Sequence, residues 1–255
     1  MNPLAKLLSF LLLLAGATTP DAMAQPVSLR TVAQEGSAPK FIDSEGASSG
    51  HCPDIFAAIE RVDKGLRIAV DPRPTPVKRI EAEMKDGGLD IICALLDTPL
   101  RNEIAIRIAT PLFTVQERLV GRKEDNGAIH SMQDLASSGD LVVTQSGASY
   151  AADLRRHGVQ VVETPGGSAV ALRNVANKRA RFYYTNELTG TYYIKAEGLG
   201  DQLRLHPGVL QSSLSYLWAS RNLDAATVRR LEQAVAQLKR SGELDRIYQR
   251  YQKDQ

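Results

Sequence analysis

Apolar residues occur along this chain in short runs and in helical stripes, and the two patterns alternate from about residue 28 onward. The clearest run, Leu89–Leu96, predicts a buried strand because it is short and almost wholly apolar. Helices are predicted where apolar residues recur at helical spacing, as at Ile55, Phe56, Ile59 and Val62 and again at Val228, Leu231, Val235 and Leu238. Alternating strands and helices are typical of an α/β fold.

The polar residues that follow the Leu89–Leu96 run predict a ligand site. Asp97 and Thr98 end the strand, Pro99 suits the first turn of a helix, and Arg101 follows directly. In open α/β sheets, ligands bind at the carboxyl ends of the strands. A guanidinium there has a fork of donors that matches a carboxylate. The alternative is that Arg101 only caps a surface turn.

This stretch resembles a segment of the periplasmic solute-binding proteins of family 3, the polar amino-acid type. The shared pattern is Gly-x-x-Asp, an apolar run, then Thr-Pro-x-Arg, and the matching residues are Asp90, Thr98, Pro99 and Arg101. The resemblance implies an α/β fold of two lobes, the type II periplasmic binding protein fold, joined by two crossover strands that act as a hinge. It places lobe 1 at residues 25–118 plus 207–255 and lobe 2 at residues 119–206.

The resemblance also assigns candidate ligand contacts. In the family, the arginine of this segment holds the α-carboxylate of the ligand, which implies that role for Arg101 with Thr98 beside it. A second-lobe loop meets the same carboxylate from the other side, and its counterparts here are Gly147 and Ser149. Backbone N–H groups at a helix start suit an anion, although the same pattern also describes a plain helix cap.

Two departures from the family pattern bear on the identity of the ligand. Ser37 and Ala38 stand where an aromatic residue that stacks on the ligand is expected. Asn186 stands where amino-acid binders have an aspartate that pairs with the α-ammonium, so a zwitterion would lose a charge-assisted hydrogen bond. The ligand is therefore expected to be an anionic or polar solute with a carboxylate rather than a standard α-amino acid.

Two further residues are weaker candidates for the ligand site. Glu35 could face the cleft from the loop after the first strand, with a solvated loop position as the alternative. Arg79 could reach the cleft from the second predicted helix, with a surface position on that helix as the alternative.

The N-terminus and the cysteines indicate an exported protein. Residues 1–24 have the pattern of a cleavable signal peptide, with Lys6, the apolar segment Leu7–Ala17 and a small-x-small cleavage site ending at Ala24. Cys52 and Cys93 are the only cysteines, and an even pair in an exported chain is most simply one disulfide. Two buried free thiols are the alternative.

Composition excludes several classes of function. The formal net charge is +2, with no basic block or basic–aromatic stripe, which argues against a nucleic-acid partner. The histidines are scattered and the sequence lacks clustered metal-ligand spacing, so neither a metal nor a cofactor is expected.

The sequence therefore predicts a monomeric periplasmic protein that binds a small solute between two lobes and delivers it to an ABC permease in the inner membrane. Two alternatives stay open. One is a periplasmic sensor without transport. The other is an enzyme resembling the cyclohexadienyl dehydratases on this fold, for which Glu187 or Glu35 would be the acid or base.

Overall fold

A computed structural model of the chain describes residues 25–44, 47–127 and 129–253. The predicted signal peptide, residues 1–24, lies outside the described residues. Within the described residues, no helix combines the length and the apolar character needed to cross a membrane.

The N-terminal part of the described chain alternates strands and helices. Its elements are β1 (Val27–Gln34), β2 (Ile42–Ser44), β3 (Ala47–Ser49), α1 (His51–Val62), β4 (Leu66–Thr75), α2 (Val77–Lys85), β5 (Ile91–Leu96), α3 (Pro99–Ile104) and β6 (Ala105–Arg107). The sequence predicts a strand-like run over Ile104–Leu112, but only β6 forms there because α3 continues to Ile104.

The remaining elements build the second lobe and return to the first. They are β7 (Phe113–Arg122), α4 (Met132–Ser138), β8 (Val142–Gln145), α5 (Tyr150–Arg156), β9 (Val161–Thr164), α6 (Gly167–Ala176), β10 (Phe182–Asn186), α7 (Glu187–Ala196), β11 (Leu203–Leu205), β12 (Gln211–Ser220), α8 (Ala225–Arg240) and α9 (Glu243–Lys253). The helix α7 is a finding of the structure, since the sequence predicts a strand over residues 181–185 but no helix after it.

One sheet runs through both lobes, with strand order β5-β12-β7-β10-β8-β9. At its centre, β7 and β12 pair antiparallel, from Phe113 opposite Ser215 to Glu117 opposite Gln211. Beyond this ribbon, β12 pairs with β5 and β6, whereas β7 pairs with β10 and β11. These are the two crossover strands that the family resemblance implies.

Each lobe has its own hydrophobic core. In the first lobe, α1, α8 and α9 pack on one side of the strands, around fully buried residues such as Ile55, Ile59 and Leu231. In the second lobe, α4 and α5 pack around Leu135 and Leu154, on a cluster separate from the one under α6. The exact residue boundaries between the lobes stay a prediction.

The disulfide predicted from the two cysteines is present, between Cys52 at the start of α1 and Cys93 in β5. Both cysteines are buried in the first-lobe core. Their chain neighbours His51 and Ala94 line the cavity described below. The cross-link therefore ties two parts of the cavity wall together.

We expect the double variant Cys52→Ser/Cys93→Ser to lose about 3–4 kcal/mol of unfolding free energy, because the cross-link closes a long loop of the unfolded chain. Urea unfolding of the oxidised protein and of the variant would measure this difference. Reduced wild type should unfold like the variant, and a loss below about 1 kcal/mol would contradict the expectation.

Candidate functional site

A small cavity of about 80 Å³ lies between the two lobes. The first lobe lines it with the β1 end and the following loop, the start of α1, β5 and α3. The second lobe lines it with residues around the starts of α5 and α7. Because residues of both lobes enclose the cavity, the structure is that of a closed form.

Direct contacts across the cleft hold this closed form. The Ser168 hydroxyl at the start of α6 donates to the Gly36 carbonyl at 2.7 Å, and Gln145 Nε2 donates to the Glu35 carbonyl at 2.9 Å. Gly36 and Gly167 approach so closely that a Cβ built on Gly36 would lie 2.7 Å from the Gly167 Cα. At the edge of the cleft, Lys78 Nζ lies 3.8 Å from a Glu163 carboxylate oxygen.

Arg101, the predicted carboxylate contact, lines the cavity. Its side chain is buried; Nε donates to Glu81 at 2.9 Å and Nη1 donates to the Leu96 carbonyl at 2.7 Å. Burial lowers the pKa of the guanidinium, and the neighbouring Glu81 opposes that shift. These anchors orient the side chain, and Nη2 is the group left for a ligand.

Thr98 has a supporting position beside Arg101. It is the N-cap of α3, and its hydroxyl accepts a hydrogen bond from the Arg101 backbone N–H at 3.2 Å. The hydroxyl thereby fixes the helix start from which Arg101 projects. Thr98 lines the wider opening outside the cavity rather than the cavity itself.

Lys40 is the second cationic residue of the cavity wall. Its Nζ donates to Gln34 Oε1 at 2.8 Å, and no described carboxylate forms an ion pair with it. Burial, reinforced by repulsion from Arg101, lowers the pKa of the Lys40 ammonium to about 7. When it is protonated, the ammonium therefore carries a charge that no described carboxylate neutralises.

Two buried polar side chains of the cavity wall lack a hydrogen-bond partner among the described residues. They are His51, through Nδ1, and Ser215, through Oγ. Burial, together with the nearby Lys40, lowers the pKa of His51 to about 3, so the ring is neutral at physiological pH. Buried polar groups are normally satisfied, so both atoms are exceptions in the wall of the cavity.

The second lobe contributes neutral polar groups. Ser149 lines the cavity at the start of α5, and its side chain makes no capping hydrogen bond. Gly147 lines the wider opening, and its N–H donates to Glu163 at 3.1 Å. Of these two predicted contacts, Ser149 is the one that the structure places at the cavity.

Asn186 lines the cavity and also caps α7. Its Oδ1 accepts from the Thr189 N–H at 3.0 Å, and its Nδ2 donates to Thr189 Oγ1 at 3.0 Å. The neighbouring Tyr150 hydroxyl lies 3.5 Å from Nδ2. Asn186 thus supplies no negative charge to the cavity, and its carbonyl oxygen is already engaged.

The two weaker candidates lie outside the cavity. The Arg79 side chain is exposed on α2 and pairs with Glu83 at 2.8 Å. Glu35 lines a separate hollow on the other side of its loop. Glu187, considered above as an acid or base, is bonded by Tyr248 and Gln252 of α9, each at 2.9 Å.

A wider opening of about 840 Å³ adjoins the cavity and shares Arg101, Ser149 and Tyr150 with it. Glu117, from the crossover strand β7, lines this opening and accepts hydrogen bonds from Tyr184, at 2.6 Å, and from Ser213. Burial raises the pKa of Glu117, which the two hydroxyl donors oppose. Arg101 therefore borders both the cavity and this opening, whereas Lys40 and His51 border only the cavity.

The described residues that line the cavity include Lys40 and Arg101 but no aspartate or glutamate. The sequence analysis missed Lys40, because a lysine in a loop normally points into solvent. It also missed His51 and Ser215, which are separated from Arg101 in the chain and meet it only through the fold. One feature of the sequence could have indicated that Lys40 lines the site. It follows Ser37 and Ala38 closely, and these stand where the family has the aromatic residue that stacks on the ligand.

Solved structures with this architecture show the fold of the chain. The chain superposes on a histidine kinase sensor domain similar to periplasmic binding proteins, with a TM-score of 0.74, 19% identity, and coverage of 89% of this chain and 96% of the other. For an ancestral amino acid-binding protein, a precursor of cyclohexadienyl dehydratase, the TM-score is 0.72 at 19% identity, over 88% and 95% of the chains. For an amino acid ABC transporter substrate-binding protein of Streptococcus pneumoniae bound to L-arginine, it is 0.70 at 19% identity, over 88% and 94%. The fold is thus that of the type II periplasmic binding proteins.

The family follows from the sequence itself. The profile of the bacterial extracellular solute-binding proteins, family 3, matches residues 30–254, and the chain belongs to this family. The comparison with curated proteins finds no match. The resemblance read from Asp90, Thr98, Pro99 and Arg101 is confirmed, and binding of a small molecule between the lobes is the general role of the family.

Proposed function

We propose that this protein captures a small carboxylate-bearing anion in the periplasm and presents it to an ABC permease. The observation that carries the proposal is the charge of the cavity wall. Lys40 and Arg101 line the cavity, and none of its described lining residues is acidic. Burial removes the water that would otherwise screen these charges, so an anion is the solute that they favour.

The arrangement also argues against an α-amino acid as the ligand. An α-ammonium needs a carboxylate or several free carbonyl oxygens around it. At the place where amino-acid binders have an aspartate, Asn186 offers an amide whose oxygen already accepts from Thr189. The neutral hydroxyls of Ser149 and Ser215 suit an oxygen-bearing solute instead.

The test is a thermal-shift screen of the oxidised protein against amino acids, dicarboxylates, aromatic acids, amines and sugars, followed by titration calorimetry of the hits. A ligand at about 100 times its dissociation constant adds about 2.7 kcal/mol to the unfolding free energy. We expect anions to raise the melting temperature and amines and sugars not to do so. Hits confined to amines or sugars would overturn the proposal.

We expect Arg101→Ala to weaken binding of the anion by about tenfold or more, because it removes a charge-assisted hydrogen bond in a dry site. Arg79→Ala is the matched control, since it removes the same charge from an exposed position outside the cavity. Calorimetry of both variants would measure the effect, and the melting temperature without ligand would report on folding. Equal affinities in the two variants would contradict the assignment of Arg101.

The transport partner has a separate test. Capture of the permease from membranes by the ligand-loaded protein, but less by the ligand-free protein, is the result expected for a transport role. Capture of a membrane-bound kinase in its place would indicate the sensor role.

A further inference from the structure

The two cations of the cavity differ in their position relative to the wider opening. Arg101 borders the wider opening and shares that position with Ser149 and Tyr150. Lys40 lines the cavity together with His51, and neither of these two borders the opening. A solute that contacts both cations therefore extends from the part of the cavity that adjoins the opening to the part that does not.

The two cations also have separate supports. Arg101 is anchored by Glu81 and by the Leu96 carbonyl, so the Glu81 carboxylate balances part of its charge. Among the described residues, Lys40 is anchored by the neutral amide of Gln34 alone. The part of the cavity at Lys40 therefore has the greater need for a negative charge from the ligand.

One unpartnered polar group of the cavity wall occurs beside Lys40. His51 is 4% exposed, and its Nδ1 lacks a partner among the described residues. The proximity of His51 to Lys40 is reflected in the charge of Lys40, which contributes to lowering the pKa of His51. The Lys40 ammonium is a donor for the oxygens of a carboxylate, and the neutral imidazole beside it adds no competing negative charge.

On these grounds we propose that the solute is a short dicarboxylate without an ammonium group, held at one end by Arg101 and at the other by Lys40. This inference rests on the proposed function and specifies its ligand. Lys40 is then the residue that determines specificity, because Arg101 alone would accept a monocarboxylate of similar size. The absence of acidic side chains from the described lining explains the preference for a ligand that lacks a positive charge.

The test compares ligands of nearly equal size that differ by one charge. Calorimetry would measure wild-type affinity for the series from malonate to adipate, and for the monoamide of the best binder. We expect a preference of about tenfold or more for the diacid over its monoamide, as for a charge pair made in a site without water. Aspartate and glutamate should bind more weakly than the diacid of the same length.

The decisive variant is Lys40→Met, which keeps the length of the side chain and removes the charge. It should abolish the preference for the diacid while changing the affinity for the monoamide by less than about threefold. Lys64→Met is the matched control, because it removes the same charge from an exposed site on the same lobe. The control should keep the wild-type preference. Lys40→Gln provides a second variant that can still bond Gln34.

The outcomes separate the inference from the function on which it rests. Binding of monocarboxylates that depends on Arg101, without preference for a diacid, would overturn the inference and leave the proposed function standing. An unchanged preference in Lys40→Met, or tighter binding of glutamate or aspartate than of the diacid, would overturn it as well. Failure of every carboxylate to bind would overturn both.

Discussion

Replacing Gly36 by alanine should weaken ligand binding by about a hundredfold, although Gly36 does not line the cavity, because the closed form becomes inaccessible. A Cβ on Gly36 would lie 2.7 Å from the Gly167 Cα, which is backbone and cannot move aside as a flexible side chain can. The clash exists only when the lobes are closed. The open form, with the lobes apart, is unaffected by it.

Another glycine of the chain provides the control for this variant. Gly36 has a φ of +62°, so alanine there is strained in any form of the protein. Gly198 also has a φ of +62°, and its Cβ would meet nothing within 4 Å. Gly198→Ala therefore carries the same backbone strain without the contact between lobes, and it should bind ligand like the wild type.

Calorimetry would give the affinities, and small-angle X-ray scattering would report closure as a decrease in the radius of gyration on adding ligand. Gly36→Ala should show neither tight binding nor compaction, whereas Gly198→Ala should show both. Tight binding by Gly36→Ala would mean that the contact between Gly36 and Gly167 is not required for the bound state.

The affinity for an anionic ligand should be constant between about pH 6 and pH 7, where its carboxylates stay ionised, and should fall by up to about tenfold per pH unit above pH 7. The reason is the Lys40 ammonium, whose pKa burial and Arg101 lower to about 7 in the ligand-free protein. An anion beside it raises that pKa. Below pH 7 the ammonium is charged in both states, whereas above pH 7 binding must take up a proton.

The other groups around Lys40 do not titrate in this range. Arg101 stays charged, Gln34 is neutral, and the pKa of His51 is about 3. Calorimetry at pH 8 in buffers of different ionisation enthalpy would measure the proton uptake directly. Lys40→Met should bind the ligand without taking up a proton, and its affinity should not depend on pH above pH 7. A pH dependence that persists in this variant would assign the titration to another group.

The same pKa has a consequence for stability. Lysine in the unfolded chain titrates near 10.5, and in the folded protein near 7. Between these values the unfolded state binds more protons, so this residue makes the ligand-free protein more stable as the pH rises through that range. Below pH 7 the buried charge is a constant cost to folding, which a bound anion offsets.

Much of the fold was predictable because its local signals agree with one another. Leu89–Leu96 is apolar enough to be only a buried strand, and Thr98 and Pro99 then start a helix that carries Arg101. Cys52 and Cys93 paired as expected. The helix α7 was missed because Asn186 was interpreted only as a ligand contact, although an asparagine three residues before a threonine N–H is also an N-cap.

The cavity was less predictable than the fold, and the reason is physical. Charge, solvation and closure at a site depend on residues that meet from different parts of the chain. Lys40 looks like a solvated loop lysine until the fold places it in the wall of the cavity with His51 and Arg101. Conversely, Arg79 and Glu35 looked suitable by type and approximate position, but neither lines the cavity. Their roles as ligand contacts remain predictions without support from the geometry.

Lys40 and Arg101 belong to the same lobe, and closure does not change the distance between them. Under the dicarboxylate proposal, the fixed spacing of these two cations on the first lobe therefore selects solutes by length while the cleft is still open. The second lobe, with Ser149 and Asn186, contacts the solute only after this selection. Discrimination among diacids should consequently appear in the rate of escape from the open form, and solutes of the wrong length should be released before the lobes close.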